Sequence, residues 1–305
     1  MLIGTSLLMR RAWQEGLAVP AFNIPYLPMM EPVVRAVRDT QSFALIAVAR
    51  LEWMKFEAGS PEAVRNEFER VKDDRYVRLH LDHVPVIDED GLEVDYRRII
   101  GKALDLGYQS VMVDGSRLSL DRNIAATREV AEMARTAGVP VEAELGAVLG
   151  HETGPLPPYE ELFLSGRGFT DADEARRFVE ETRVDWLSVA IGNIHGAISG
   201  AARRGSKIRA RLNIDHLERI RQAAGIPLVL HGGTGIEKRC LLEAVRHGIA
   251  KINIGMAIRQ PFEAVRADSV PRAQEAVYAA TVRVIREELE LEGSARRIDP
   301  GDTPG

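Results

Sequence analysis

The sequence predicts an α/β fold, a single-domain (β/α)8 or TIM barrel with a long C-terminal helical segment. Three observations predict it. Eight short apolar runs alternate with longer amphipathic segments along the chain, the pattern of βαβ units around a parallel sheet. Eight such units are the number that closes a barrel, and the 305 residues exceed the roughly 250 that a single α/β barrel needs. The stretch after the first strand, Asn23-Ile24-Pro25-Tyr26, offers no Gly-rich phosphate turn, which the competing doubly wound open sheet would favour there.

The elements follow in order. Val19 to Ile24 reads as a first strand, and Glu31 to Thr40 as a helix with Val33, Val34 and Val37 at helical spacing. Phe43 to Ala49 is continuously apolar, as a strand buried on both faces should be. Glu62 to Lys72 is a charged helix, Val77 to Val84 a third strand and Val94 to Leu106 a helix. Ser110 to Gly115 is strand four. Leu120 to Ala137 is a long helix stopped by Gly138 and Pro140. Pro140 to Gly146 is strand five, followed by a Gly/Pro-rich stretch from Ala147 to Gly168 that reads as a functional loop. Thr170 is expected to cap a helix from about Asp171 to Thr182, with Asp173 at the acidic position of a capping box. Asp185 to Gly192 is strand six. Asn193 to Leu212, with Arg203, Arg204, Lys207, Arg209 and Arg211, reads as a loop. Asp215 to Ala224 is helical, Pro227 to Gly233 is strand seven, Glu237 to His247 is helical and Lys251 to Gly255 is strand eight. Helix then runs to about Glu292. The barrel domain is thus expected over residues 1–292, with 293–305 as a disordered tail.

Composition narrows the function. Apolar residues make up 45% and charged residues 28% of the chain, an ordinary globular balance. A net charge of −5 argues against a dedicated nucleic-acid binder. The single cysteine, Cys240, excludes a disulfide framework and a Cys-rich metal site. No apolar stretch approaches the ~20 residues of a membrane span, and Met1 to Pro20 lacks the basic start of a signal peptide. A cytoplasmic protein with no nucleic-acid or membrane partner is expected.

Chemically demanding residues cluster at the strand ends: Asn23, then His80-Leu81-Asp82-His83, Asp114, Glu142 with Glu144, His195, His231 and Asn253. In a barrel these ends share the C-terminal face, where active sites form. His83, His195 and His231 come from three different strand ends, and three imidazoles with an open fourth position make a catalytic Zn²⁺ shell. His80 shares its strand face with Asp82. His216 and His247 fall in helices and read as surface or packing residues, and His151 lies in the long loop. Asp82 beside a metal can serve as acid or base, or can orient a ligating histidine. Glu142 and Glu144, two apart, face one way and would repel without a cation or a proton between them. Glycines follow Asp114, Ile191 and His231, and their backbone N–H groups can cradle an anion.

These motifs together resemble the class II, metal-dependent fructose-bisphosphate and tagatose-bisphosphate aldolases. The resemblance runs from Pro20-Ala21-Phe22-Asn23 to Lys251-Ile252-Asn253-Ile254. It is most specific at His80 to His83, Ser110 to Ser116, Val141 to Gly146, Val189 to Gly192 with His195-Gly196, and Leu228 to Gly233. It implies a homodimer or homotetramer that uses Zn²⁺ held by His83, His195 and His231. Asp114 and Glu144 match positions linked to an alternative or second metal site. Asp82 matches the catalytic carboxylate, and Glu152 matches a mobile-loop acid that moves a proton. The implied substrate is a small-molecule sugar phosphate, a ketose phosphate or bisphosphate. Its reversible cleavage to dihydroxyacetone phosphate and an aldehyde passes through an enediolate that a metal stabilises. Asn23, Gly196, Gly232, Gly233, Thr234 and Asn253 are the candidate substrate contacts.

The chain also departs from the family's pattern. Pro25 stands where the family usually has Asn. Ala49-Arg50 replaces a small polar residue, Ser199 a common lysine, and Met256 a phosphate-holding threonine. Arg50, Arg203 and Arg204 are candidates to compensate, since guanidinium matches phosphate well. Two other classes compete. A metal-dependent barrel hydrolase would want a His-x-His pair on the first strand and an Asp on the last, where this chain has Asn23 and Asn253. A non-catalytic aldolase-like subunit would have little reason to keep Asp82 and three histidines.

Overall fold

A computed structural model describes residues 3–146, 158–193 and 210–299. Eight parallel strands pair in chain order and the last closes on the first, giving the expected barrel. The strands are β1 (Val19–Asn23), β2 (Ala44–Ala49), β3 (Val77–Pro85), β4 (Ser110–Asp114), β5 (Val141–Leu145), β6 (Trp186–Val189), β7 (Leu228–Leu230) and β8 (Ile249–Ile254). β2, β5, β6, β7 and β8 are buried at every residue; β2 and β7 accordingly read as unbroken apolar runs, while β5 and β8 carry Glu142, Glu144, Lys251 and Asn253 into the barrel interior.

The helices are α1 (Thr5–Gln14), α2 (Met30–Asp39), α3 (Arg50–Lys55), α4 (Pro61–Val71), α5 (Tyr96–Asp105), α6 (Leu120–Ala137), α7 (Tyr159–Ser165), α8 (Ala172–Thr182), α9 (Ile214–Ala224), α10 (Lys238–Arg246), α11 (Met256–Val265), α12 (Val270–Arg283) and α13 (Ala295–Ile298). Five of them start where a short polar side chain accepts a hydrogen bond from the first turn. Ser60 accepts from Ala63 N, Asp95 from Arg98 N and Asn213 from His216 N. Gly138 ends α6 in the left-handed region at φ +69°, where a side chain would be strained. Among the described residues, no helix is long and apolar enough to cross a membrane.

Some elements differ from the sequence expectation. α1, α3 and α7 are additional, and α7 lies inside the stretch read as loop. It is anchored by Leu162, which is buried, and by the Tyr159 hydroxyl, which donates to Gly192 O at 3.0 Å. Thr170 does not cap α8. Asp171 does, accepting from Asp173 N and Glu174 N at 2.9 Å each. Thr170 instead joins two strand ends: its Oγ1 donates to Leu145 O at 2.5 Å and accepts from Ala190 N at 2.8 Å. The C-terminal helical segment breaks after α12 into a π-helical turn over Val284–Glu288. Residues 293–299, expected in the disordered tail, are packed on the barrel: Gly293 N and Ala295 N bond to Thr40 O and Gln41 O, and Ala295 and Ile298 are buried; residues 300–305 lie outside the described residues.

Candidate active site and metal centre

The site stands on an irregularity in β3. Strand side chains alternate between faces, so adjacent Asp82 and His83 should point opposite ways. Between Leu81 and Val84, β3 advances three residues while β4 advances two, from Val111 to Val113. A bulge of this kind re-aims side chains at barrel rims. Asp82 and His83 accordingly both line one cavity of about 140 Å³ at the C-terminal strand ends, together with Asn23, Glu52, Gly232, Thr234, Asn253, Met256 and Arg259.

Asp82 is held by amides from β1 and β8, across the barrel mouth from β3. Asn23 Nδ2 donates to its Oδ2 at 2.8 Å, and Asn253 Nδ2 lies 3.0 Å from both oxygens. Burial opposes ionisation of Asp82. His83, Lys251 and His80 outweigh burial and hold the carboxyl well below the usual carboxylate range, so it sits in the cavity as a carboxylate. Asn253 Oδ1 is buried and accepts no hydrogen bond among the described residues, leaving an acceptor for a hydroxyl.

The donor set fits a divalent metal. Ligand atoms of Asp82, His83 and His231 lie within 4.8 Å of one another, as do those of His83, Asp114 and Glu144. The two rings stand edge to face with centroids 4.3 Å apart. Asp114 Oδ2 is 3.2 Å from His83 Nδ1. Glu144 Oε2 is buried without a hydrogen bond among the described residues, 3.3 Å from His231 Nδ1 and 3.6 Å from His83 Nδ1. Burial disfavours a charged His83, but Asp82, Asp114 and Glu144 push its pKa up to about 10. Such a field calls for a cation, and nitrogen with carboxylate oxygen is a zinc-type ligand set. His195, Glu152 and Gly196 lie outside the described residues.

A third cluster, His80, Asp82 and Glu142, already contains a cation. Fully buried Lys251 places Nζ 2.7 and 3.0 Å from the Glu142 oxygens, 3.2 Å from His80 Nε2 and 3.7 Å from Asp82 Oδ1. The two acids of β5 therefore part company. Glu142 serves Lys251, the Trp186 indole at 2.6 Å and His231 Nε2 at 2.9 Å. Burial works against its ionisation, yet Lys251 and His231 lower its pKa to about 2. Glu144, facing the metal cluster, is raised by burial and by Asp114. A carboxylate against the far nitrogen of a ligating histidine sets its tautomer and ring orientation.

The proposed substrate shell is only partly brought together. Asn23, Gly232, Thr234 and Asn253 line the cavity. Gly233 does not: a Cβ there would meet Ile252 Cγ2 at 2.5 Å, so this glycine permits close packing of the β7 end on β8. Arg50 is turned aside to Asp88 at 3.5 Å and leaves the cavity wall to Arg259, which the sequence reading missed. Glu52 was missed too. A Glu at the third helical position signals a capping box, but the cap residue here is Ala49, which hides the pattern. Lys251 had a signal, since it precedes Asn253 by two and so shares its strand face.

Comparison with known proteins agrees with this geometry. The family model described as fructose-bisphosphate aldolase class-II matches residues 4–296. A fructose-bisphosphate aldolase of Streptococcus pyogenes serotype M1 is 32% identical over 256 residues, 83% of this chain and 78% of that protein. A 6-phospho-5-dehydro-2-deoxy-D-gluconate aldolase of Bacillus velezensis is 36% identical over 250 residues, 81% of this chain and 77% of that one. The crystal structure of the YdjI aldolase from Escherichia coli K12 superposes with a TM-score of 0.75 at 26% identity, covering 97% of this chain and 100% of that one.

Proposed function

The chain belongs to the class-II fructose-bisphosphate aldolase family and is an aldolase, a carbon–carbon lyase, and we propose that it is zinc-dependent and reversibly cleaves a ketose phosphate to dihydroxyacetone phosphate and an aldehyde. The observation that carries this reading is the bulge in β3, which puts a carboxylate and an imidazole, Asp82 and His83, into one cavity beside His231. The two relatives described above bear the names of different phosphorylated substrates, fructose bisphosphate and 6-phospho-5-dehydro-2-deoxy-D-gluconate.

His83, His195 and His231 are the ligands of this reading, with Asp114 and Glu144 offering an alternative position. A cation held by these residues would supply Lewis-acid chemistry toward the substrate's carbonyl. Asp82 takes the proton from the hydroxyl on the carbon that becomes the aldehyde, as the adjacent carbon–carbon bond breaks. The bonding electrons stay with the ketone fragment, and Glu152 returns a proton to its carbon. Asn23 and Asn253 keep Asp82 aimed, and His83, Lys251 and His80 keep it ionised. Gly196, Gly232, Thr234 and Asn253 contact the phosphorylated ketone end. That end keeps its glycine turn, while Met256 withdraws one donor, a loss of about 1.5–3 kcal/mol to a charged oxygen.

Elemental analysis and aldol cleavage of His231→Ala test the assignment together. Both metal content and cleavage are expected to collapse. Retention of both places the metal elsewhere.

A further inference from the structure

One buried acid at the site has no part in the chemistry above. Glu52 of α3 is 8% exposed and lines the cavity with Asp82 and His83. Its Oε2 accepts from Ala49 N at 2.7 Å. Asn23, which donates to Asp82, also hydrogen-bonds Glu52. Ala49 pairs with Asp82 across β2 and β3, so Glu52 stands next to the base. It is three strands round the barrel from β7, where Gly232 and Thr234 begin the phosphorylated ketone end. Glu52 therefore faces the half of the substrate that leaves as the aldehyde.

We propose that Glu52 is a specificity-determining residue: its carboxyl hydrogen-bonds a hydroxyl of the aldehyde fragment and excludes a phosphate from that position. This rests on the aldolase reading and deepens it by naming the class of aldehyde, a neutral polyol chain. The surroundings argue the same way. Pro25, Ala49, Leu51 and Phe56 share this wall and offer no side-chain donor to an anion. The backbone donor at the strand end, Ala49 N–H, is already taken by Glu52. A phosphate there would also stand against ionised Asp82. The cation on this wall, Arg259, lies over the Phe56 ring at 5.1 Å with Nε 3.8 Å from Glu263 Oε1, and that Nε makes no hydrogen bond among the described residues, so it is the cation that removal of Glu52 would leave to a phosphate. Burial first, and then the charge of Asp82, push the Glu52 carboxyl up to about 8 against the bonds from Ala49 and Asn23 and the field of Arg259. Near neutral pH it is a carboxylic acid, able both to donate to and to accept from a hydroxyl.

The test uses the metal-loaded enzyme in the condensation direction, with dihydroxyacetone phosphate and either glyceraldehyde or glyceraldehyde 3-phosphate. Exchange of the ketone's α-proton without aldehyde isolates the half-reaction that Glu52 does not touch. Wild type is expected to favour the neutral aldehyde in kcat/KM. Glu52→Ala should lose about tenfold on it, the worth of one hydrogen bond, and gain on the phosphorylated one. Glu52→Gln, neutral and of similar size, should keep the wild-type preference, and α-proton exchange should persist in both variants. A wild type that prefers the phosphorylated aldehyde, or a selectivity unmoved in Glu52→Ala, overturns the inference alone. Loss of exchange in both variants reduces Glu52 to a helix cap and overturns it too. Absence of exchange and condensation in wild type brings down the aldolase reading and this inference with it.

Discussion

Replacing Lys251 with methionine should unsettle the floor of the active site in a measurable, pH-dependent way. Nζ lies 2.7 Å from Glu142, 3.2 Å from His80 and 3.7 Å from Asp82, and all four side chains are almost completely buried. Methionine nearly matches the stem in length, so the change removes charge rather than volume. Breaking a buried pair from one side costs about 3–5 kcal/mol, because the remaining charge is left uncompensated. With an unfolding entropy of about 2.1 cal/mol/K per residue, that is a fall in Tm of roughly 5–8 °C for a chain of this size. The pH dependence follows from Glu142. In wild type its pKa is lowered from an ordinary 4.5 to about 2, so its contribution to stability is present above 4.5 and lost as pH falls toward 2. Without Lys251, burial, which raises the pKa, is the largest influence left. The carboxyl then destabilises the fold at pH 7 and recovers as acid protonates it. The gap between wild type and Lys251→Met should therefore narrow from pH 7 to pH 5 in urea or thermal unfolding. A gap below about 1 kcal/mol, or one that is the same at both pH values, refutes the reasoning.

Other outcomes follow from the same geometry. Asp82→Asn is nearly isosteric and should keep metal and fold while cleavage falls by about 10²-fold or more, as when a general acid–base group is removed. Lost metal with retained chemistry would make Asp82 an orienting residue instead. Metal binding at pH 8 should release about one proton per ion, because His83, raised to about 10, must be neutral to act as a ligand; calorimetry in buffers of different ionisation enthalpy reads this directly. By the same shift, chelator-treated protein should be stabilised by His83 below pH 6.5 and lose that stability as pH rises toward 10. Thr170→Val leaves Leu145 O and Ala190 N without their partner. It should cost about 1–3 kcal/mol in urea unfolding, whereas a Thr170 that merely capped α8 would leave both strand ends intact.

The barrel was legible because parallel strands buried on both faces leave continuous apolar runs, and the helices between them end on recognisable caps. Asn23, Asp82, His83, Asp114 and His231, which the structure gathers at one end of the barrel, were legible one by one because each sits where an apolar run stops, whereas Glu52 and Arg259 were not. Their partners were not legible either. Alternation along β3 sends Asp82 and His83 to opposite faces, and only pairing with β4 reveals the bulge that reunites them. Glu142 and Glu144 share a face in any strand, but which one meets Lys251 and which meets His83 depends on height inside the barrel. Arg50 looked available to a phosphate because it follows a strand end, yet Asp88 from the loop after β3 claims it. Thr170 is a good cap by type, and lost that role to Asp171 because two strand-end backbone groups needed its hydroxyl more. In each case the deciding contact is distant in sequence, where local spacing carries no information.

The most direct test is cleavage of a panel of ketoses, phosphorylated at one end, at both or at neither, with release of dihydroxyacetone phosphate followed before and after removal of bound metal. The account predicts release from ketose 1-phosphates by the metal-loaded protein, its loss on chelation and its return with Zn²⁺. Undiminished cleavage after complete metal removal, or no release from any ketose phosphate by the zinc-loaded enzyme, would contradict it.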